Sequence, residues 1–251
     1  MREGPSGAWY ARSGSRAREL YTIMHLPYTS MVLSYVLIGA MFSPTFYAQR
    51  VFLTLFTYFL GLGLSAHALN ELYVPHWTKA LGKKELVALF IIPLFGALCI
   101  GVYGMSKLFL VSGSDLPPLV LMVLILLEIF FLFAYNTNSF GGRFHSDVAF
   151  AFSWAVLPTL VSFYVNALTV TVGALVVAGA MAATAGIEIN LSRWCKELRR
   201  RGPLNELRFA DGDREVVNGF EFMTKPERAL KLIVLVVDLS AISLVALRLF
   251  G

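Results

Sequence analysis

Two clusters of polar side chains follow apolar runs of this sequence, and their residue types could bind a charged ligand or transfer a proton. In the first cluster, His67, Asn70 and Glu71 stand at i, i+3 and i+4, so on a helix they share one face. The second cluster lies within residues 135–147, between two further apolar runs. Its candidate residues are Asn136, Arg143, His145 and Asp147. Because polar groups in apolar segments are costly, we expect both clusters to face one polar cavity.

A divalent cation that binds a diphosphate is the first chemistry this set could support. Carboxylate and amide oxygens suit such a cation, and Asn70, Glu71 and Asp147 could supply them. Arg143 and nearby backbone amides would then share the charge of the diphosphate, since a guanidinium forms strong charge-assisted hydrogen bonds with phosphate oxygens.

A transition metal is the second chemistry, because imidazole and carboxylate together suit zinc, iron or copper. Its ligands would be His67, His145, Glu71 and Asp147. A simpler interpretation stands beside both, since polar residues at helix ends often only cap the helix and meet water. For the whole set on one face, we favour a genuine site.

The composition predicts a membrane protein built from helices. Of the 251 residues, 57% are hydrophobic and 15% are charged, whereas a soluble domain carries about 25% charged residues. Apolar runs of about twenty residues recur along the chain, which is the length that crosses a bilayer as a helix. The runs are continuous rather than alternating, which excludes membrane strands. We therefore predict an all-α, polytopic transmembrane bundle of about seven spans, surrounded by membrane lipids.

This bundle is expected to form one domain with short polar additions. Residues 1–20 are predicted to be a mobile cytoplasmic tail, and residues 21–190 a six-helix membrane core. Residues 191–228 are predicted to be a basic cytoplasmic connector, in which Asp211-Gly212 and Asn218-Gly219 are turn signals for one small hairpin. Residues 229–251 are predicted to be the last transmembrane helix.

The distribution of basic residues predicts the orientation of the bundle. With the N-terminus in the cytoplasm, every Lys and Arg except Arg50, Lys107 and Arg248 falls on the cytoplasmic side. This asymmetry follows the positive-inside rule, and it explains the net charge of +5 without a nucleic-acid partner. Both polar clusters then face the cytoplasm, in a protein integral to the cell (plasma) membrane.

Other polar residues of the spans have simpler expected roles. Glu128 and Asp238 each stand alone in an apolar span, where an interhelical hydrogen bond is the expected use of a carboxyl group. The basic residues of 193–201 are expected to form an amphipathic stretch at the headgroup level. Within it, the run 199–201 is expected to bind anionic lipid headgroups, with binding of a lipid diphosphate as the alternative. Cys99 and Cys195 fall too far apart in this topology to pair, and neither belongs to a CxxC metal motif.

The two clusters, taken with a segment near the N-terminus, resemble the UbiA superfamily of intramembrane prenyltransferases. A divergent branch of that family carries His-Ala-x-(Asp/Asn)-Glu-Leu after its second helix, which residues 67–72 match. It also carries Tyr-Asn-x-x-x-Phe-Gly-Gly-Arg-Phe-His-x-Asp after its fourth helix, which residues 135–147 match. Residues 25–29 and the pair Gly39-Ala40 also look like that branch. The resemblance covers roughly residues 20–190.

This resemblance implies an all-helical enzyme that transfers an isoprenoid from a prenyl diphosphate to an acceptor at the cytoplasmic mouth of the bundle. It also implies Mg²⁺ as the cofactor. Given the pKa of an imidazole, His67 or His145 could act as the base toward the acceptor. The site is then expected to comprise the metal ligands Asn70, Glu71 and Asp147, the diphosphate-binding residues Arg143 and Asn136, and the catalytic residues His67 and His145.

The chain departs from the family in its acidic residues. Typical members place two further Asp after the Asn of the first motif, at positions that Val74 and Thr78 occupy here. The family also usually has more helices than this sequence predicts. Two alternatives therefore stand beside the transferase: a catalytically degenerate UbiA-fold subunit of a larger membrane complex, and a His/carboxylate metal-dependent enzyme that modifies lipids.

Overall fold

The computed structural model describes most of the chain, and most of what it describes is helical. The described residues are 8–12, 14–74, 80–137, 139–201, 204–208 and 211–251. Only the backbone is described for residues 200–201, 204–208 and 214–221. Val74 falls within this part of the chain, whereas Thr78 lies outside the described residues.

Eight helices follow one another along the described part of the chain, with one short hairpin between the last two. They are α1 (Arg16–Ile23), α2 (Leu26–Phe42), α3 (Ala48–Tyr73), α4 (Lys83–Ser112), α5 (Leu116–Asn136), α6 (Asp147–Ala167), α7 (Val172–Arg201) and α8 (Gly219–Phe250). Helices α3 to α8 are long and apolar enough to cross a membrane, and α1 with α2 forms a further candidate span that is bent by 41°. The predicted bundle of about seven long apolar helices is thereby confirmed, and such helices suggest a membrane protein, while its UbiA-like arrangement stays a prediction.

The connector before the last helix is shorter than the predicted 191–228. Helix α7 continues through the basic stretch to Arg201, because Arg and Lys are good helix formers. Strand β1 (Leu204–Arg208) then pairs antiparallel with β2 (Arg214–Asn218), and Asp211-Gly212 lies in the turn between them. Helix α8 follows directly at Gly219.

Helix α2 lies at the centre of the bundle. Its residues Met31, Tyr35 and Val36 are fully buried, and it packs against α6, α7 and α8. Gly39 allows a close approach to α6, because a Cβ atom there would clash with the backbone carbonyl of Thr159. By contrast, most side chains of α4, α5 and α8 point outward, which suits contact with lipid tails.

Two spans contain π-helical segments, and both lie near the polar clusters. In α3 the segment Phe59–Ala66 directly precedes His67. In α6 the segment Phe152–Val156 precedes Pro158. A proline removes one helical hydrogen bond and crowds the preceding turn, so a wider turn at this point relieves the clash.

The N-terminal segment differs from the predicted mobile tail over residues 1–20. In its described part, Tyr10 is 5% exposed and Glu19 is 1% exposed. The Glu19 carboxylate accepts hydrogen bonds from the backbone N–H groups of Ala80 (2.8 Å) and Leu81 (3.0 Å). The basic, Gly- and Ser-rich composition of the segment is typical of a mobile tail. The few side chains that attach it to the bundle form no pattern in the sequence.

Candidate functional site

A left-handed residue breaks the first candidate span and positions the first imidazole. His25 has φ 43°, which is uncommon for any residue with a bulky side chain. Pro27 follows in the first turn of α2, where its missing N–H is not needed. The break sets the His25 ring on the ring of His67, with centroids 4.3 Å apart and planes inclined by 10°.

Tyr10 contacts His25 from the N-terminal segment. Its hydroxyl oxygen lies 2.8 Å from Nδ1 of His25. Burial raises the pKa of the Tyr10 hydroxyl well above its ordinary value of 10.0. The hydroxyl therefore keeps its proton at neutral pH and can donate it to Nδ1.

His67 is enclosed by helices α2, α3 and α6. The π-helical turns before it approach α2 closely, since a Cβ atom on Gly63 would lie 2.8 Å from the Thr29 side chain. His67 is 8% exposed, and its Nε2 atom has no hydrogen-bond partner among the described residues. An unpaired polar atom in this position is costly and is available to a bound molecule.

A chain of aromatic rings joins the two predicted clusters. The ring of His67 lies 5.1 Å from Trp154, which stacks on Phe150 at 5.4 Å. Phe150 lies 5.8 Å from Tyr135, and Tyr135 stacks on His145 at 4.6 Å. The clusters therefore meet at one end of the bundle, where rings rather than a polar cavity occupy the space between them.

Asp147, the acid of the second cluster, forms an ion pair with Arg193 of α7. Its Oδ1 atom lies 2.6 Å from Nη1 of Arg193, and both side chains are more than one-third exposed. Arg193 also lies close to the Tyr135 hydroxyl. The sequence predicted Arg193 only to be part of a basic amphipathic stretch at the headgroup level, because one Arg among several basic residues gives no signal of a specific partner.

The other residues of the second cluster divide between the interior and the surface. Asn136 is 5% exposed, and its side chain donates to the backbone carbonyl of Leu132 in its own helix. His145 is exposed, and its Nδ1 atom lies 3.0 Å from the backbone carbonyl oxygen of Tyr135. Arg143 is exposed and follows Gly141 and Gly142, whose φ values of 67° and 76° favour glycine.

The first cluster is more enclosed than the second. Glu71 is 2% exposed, whereas Asn70 is partly exposed. The side chains of His67, Asn70 and Glu71 are therefore placed on the inner side of the last turns of α3. The structure thus brings this inner face and the exposed 140–147 loop to the same end of the bundle.

Glu188 is a buried acid near the site that the sequence interpretation missed. It is 2% exposed, and its Oε1 atom has no partner among the described residues. Tyr28 and Tyr35 of α2 lie within electrostatic range, and the Tyr28 hydroxyl donates to Ser192 Oγ at 2.7 Å. Glu188 lies in the Gly- and Ala-rich part of α7. It could have been noticed by the criterion that singled out Glu128, which is a single acid in an apolar span.

The predicted metal ligands do not form one metal-binding group in the described part of the chain. There, no three or more His, Cys, Asp or Glu side chains lie together as a metal site would require. His67 stacks on His25 and meets the Trp154 ring at a tilt of 50°, whereas Asp147 is paired with Arg193. The arrangement therefore does not join His67, His145, Glu71 and Asp147 on one transition metal.

The two isolated carboxyl groups of the spans form the interhelical hydrogen bonds that the sequence predicted. The Tyr58 hydroxyl donates to Glu128 Oε1 at 2.6 Å. The Ser34 hydroxyl donates to Asp238 Oδ1 at 2.8 Å. Both bonds tie neighbouring helices together away from the 140–147 loop.

No family model matches this chain, and no curated protein or solved structure is similar to it. Three features of this end of the bundle bear on its function. They are the stacked imidazoles of His25 and His67, the chain of rings and the Arg193–Asp147 pair.

Proposed function

We propose that this chain is a membrane-embedded prenyltransferase of the UbiA type. The observation that supports the proposal is the chain of ring contacts from His67 to His145, which brings the two motif segments together. The reaction is assigned to this end of the bundle.

Arg193 is the cation best placed to bind the diphosphate of the substrate. Its side chain is 43% exposed, and Asp147 fixes its position at 2.6 Å. A guanidinium presents parallel N–H donors that match the oxygens of a phosphate group. Arg143, on the adjacent loop, supplies a second positive charge, and Asn136 lies buried at the base of that loop.

The proposed reaction transfers the isoprenoid between two oxygens or from oxygen to carbon. The bond between the allylic carbon and the diphosphate oxygen breaks, and the diphosphate leaves with the electron pair. The acceptor attacks the allylic carbon, forms the new bond and releases a proton. His67 accepts this proton at Nε2, which has no partner among the described residues. Arg193 stabilises the negative charge that develops on the leaving oxygen.

The Mg²⁺ that the family resemblance implies does not fit these residues as they are arranged. Mg²⁺ in such sites binds one or two carboxylates together with substrate phosphates. Asp147 is already paired with Arg193, so a cation at this carboxylate would have to replace the guanidinium. Magnesium stays a prediction from the sequence, and no step above depends on it.

The proposal places the protein in the plasma membrane with its N-terminus in the cytoplasm. The outward faces of α4, α5 and α8 carry exposed apolar side chains such as Ile92, Leu126 and Leu247, which suit membrane lipids as neighbours. The excess of basic residues at the motif end supports the cytoplasmic orientation.

The test is equilibrium binding of tritiated farnesyl and geranylgeranyl diphosphate to the purified protein in phospholipid nanodiscs, with Mg²⁺ and with EDTA. We expect saturable binding that inorganic diphosphate displaces, followed by release of diphosphate when an acceptor is supplied. Absence of binding at every chain length would end the proposal. A stoichiometric partner protein after mild extraction would then favour the degenerate-subunit alternative.

A further inference from the structure

A cavity of about 660 Å³ lies between α3, α4, α5 and α6, away from the two polar clusters. It runs along the first half of α3 and the second half of α4, whereas the first cluster lies at the end of α3. None of the seven predicted site residues is among those that line it. Its walls are mainly aliphatic, with Leu62, Leu98, Ile125, Leu132 and Val161 among the lining residues.

Two positive side chains lie at the outer end of this cavity. Arg50, at the start of α3, donates to the backbone carbonyl of Val165 at 2.7 Å and stacks over the Tyr47 ring at 4.2 Å. Lys107, near the end of α4, lies 5.4 Å from the centre of the Tyr103 ring. Neither cation forms an ion pair within the part of the chain that the structure describes. Neither positive charge is therefore neutralised by a described acid, and each could attract an anion.

The location of these two cations is unusual for this chain. Apart from Arg248, they are the Lys and Arg residues that the charge distribution assigns to the side opposite the basic loops. Arg248 donates to the backbone carbonyl of Pro44 at 3.2 Å and does not line the cavity. On a side with so few positive charges, two from different helices lie at one cavity.

A buried carboxyl group is one polar point on the cavity wall. Glu128 lines the wall, and its Oε1 atom accepts a hydrogen bond from Tyr58 at 2.6 Å. Its Oε2 atom is buried and has no partner among the described residues. An aliphatic chain has no donor for Oε2, so the ligand is inferred from the two cations and the apolar walls rather than from Glu128.

We propose that this cavity binds a single-chain amphiphile with an anionic head group. The aliphatic chain lies against Leu98, Ile125 and Leu132, and the carboxylate or phosphate head lies between Arg50 and Lys107. The volume falls within the range of about 300–1,000 Å³ that is typical of sites for one small molecule. This site is separate from the prenyl diphosphate site, because none of the seven predicted site residues lines it.

The test of the head group uses three probes with the full-length protein in zwitterionic nanodiscs: oleate, dodecyl phosphate and the uncharged oleyl alcohol. We expect saturable binding of the two anionic probes. The double variant Arg50→Gln/Lys107→Gln should weaken their affinity about tenfold and leave that of oleyl alcohol unchanged, since only the charge contacts are removed. Arg248→Gln is the matched control and should bind like the wild type.

The test of the cavity uses two glycines whose surroundings are equally open. A Cβ atom on Gly61 or on Gly179 would meet no neighbouring atom within 4 Å, but only Gly61 lines the cavity. Gly61→Phe should abolish binding of oleate and dodecyl phosphate, whereas Gly179→Phe should leave it intact. Size-exclusion profiles and unfolding temperatures of both variants show whether they fold.

Three results would overturn the proposal. They are non-saturable partition of the probes, equal binding of oleate and oleyl alcohol, and a folded Gly61→Phe protein that binds oleate like the wild type. The preference between oleate and dodecyl phosphate identifies the head group. Geranylgeranyl diphosphate is also an amphiphile of this kind, so the variants distinguish the two sites. Arg193→Gln should leave the binding of oleate unchanged, and Arg50→Gln/Lys107→Gln should leave the binding of geranylgeranyl diphosphate at the motif end unchanged.

Discussion

The guanidinium of Arg193 lies 2.6 Å from the carboxylate of Asp147 and joins the last part of α7 to the start of α6. In this pair, Asp147 of the second cluster holds the positive side chain of Arg193 in position. A diphosphate that approaches this end of the bundle therefore meets a positive group whose position is already fixed.

Removal of Arg193 should weaken prenyl diphosphate binding more than removal of its partner. We expect Arg193→Gln to reduce the affinity for geranylgeranyl diphosphate at least about tenfold, because a charge-assisted hydrogen bond contributes about 1.5–3 kcal/mol. Asp147→Asn leaves the cation in place and should have a smaller effect. Equilibrium binding measures both, and Arg248→Gln at the far end is the control.

The same assay tests the role of a metal. Because Asp147 is engaged by Arg193, we expect EDTA to leave the binding of geranylgeranyl diphosphate unchanged. A loss of binding in EDTA that Mg²⁺ restores, together with a complete loss in Asp147→Asn, would instead place a metal ion on this carboxylate.

Substitution of His67 should affect turnover rather than binding. His67→Asn removes the atom that accepts the proton, so the rate of transfer should fall about 10²–10⁴-fold while the affinity for the prenyl diphosphate is kept. His145→Asn, at an exposed position, is the comparison and should change the rate much less. Equal losses in both variants would argue against His67 as the base.

The contact between α2 and α6 should depend on Gly39. Gly39→Ala places a methyl group against the backbone carbonyl of Thr159, and overpacking of this kind costs about 1–3 kcal/mol. Gly179→Ala, which meets no neighbouring atom, should be neutral or slightly stabilising. Thermal unfolding in detergent compares the two, and an equal unfolding temperature would contradict the close packing.

The N-terminal segment should loosen at alkaline pH. Burial raises the pKa of Tyr10 above 10.0, so the packed segment retains a proton that the released segment would lose. The stability of packing is therefore constant below pH of about 10 and falls as the pH rises further. Protection factors for hydrogen exchange at residues 8–12, which are corrected for the base-catalysed rise of the intrinsic rate, should fall there in the wild type. Tyr10→Phe, which cannot ionise, should show no such fall.

Much of the fold could be predicted from the sequence because continuous apolar runs have few alternatives inside a membrane. The roles of Glu128 and Asp238 followed from the same reasoning, since an isolated carboxyl group in a span needs a donor. Convergence of the two clusters followed from alternating helix direction, which places residues 67–71 and 135–147 at the same end.

The remaining features depend on tertiary contacts that leave no local pattern. Arg193 lies in a run of basic residues, so the sequence does not show whether its side chain pairs with an acid or only meets water. The structure pairs it with Asp147. Tyr10 lies in a polar segment, yet it packs on His25. The left-handed conformation of His25 could not be predicted either, because the residue is neither glycine nor asparagine, which usually adopt it.

The most direct test of the account is a photoaffinity map with a diazirine analogue of geranylgeranyl diphosphate, bound in nanodiscs and analysed by mass spectrometry. We predict saturable crosslinks within residues 67–72 and 135–147 that unlabelled geranylgeranyl diphosphate suppresses. Crosslinks confined to the cavity segment 94–111, or labelling that does not saturate, would contradict the proposed site.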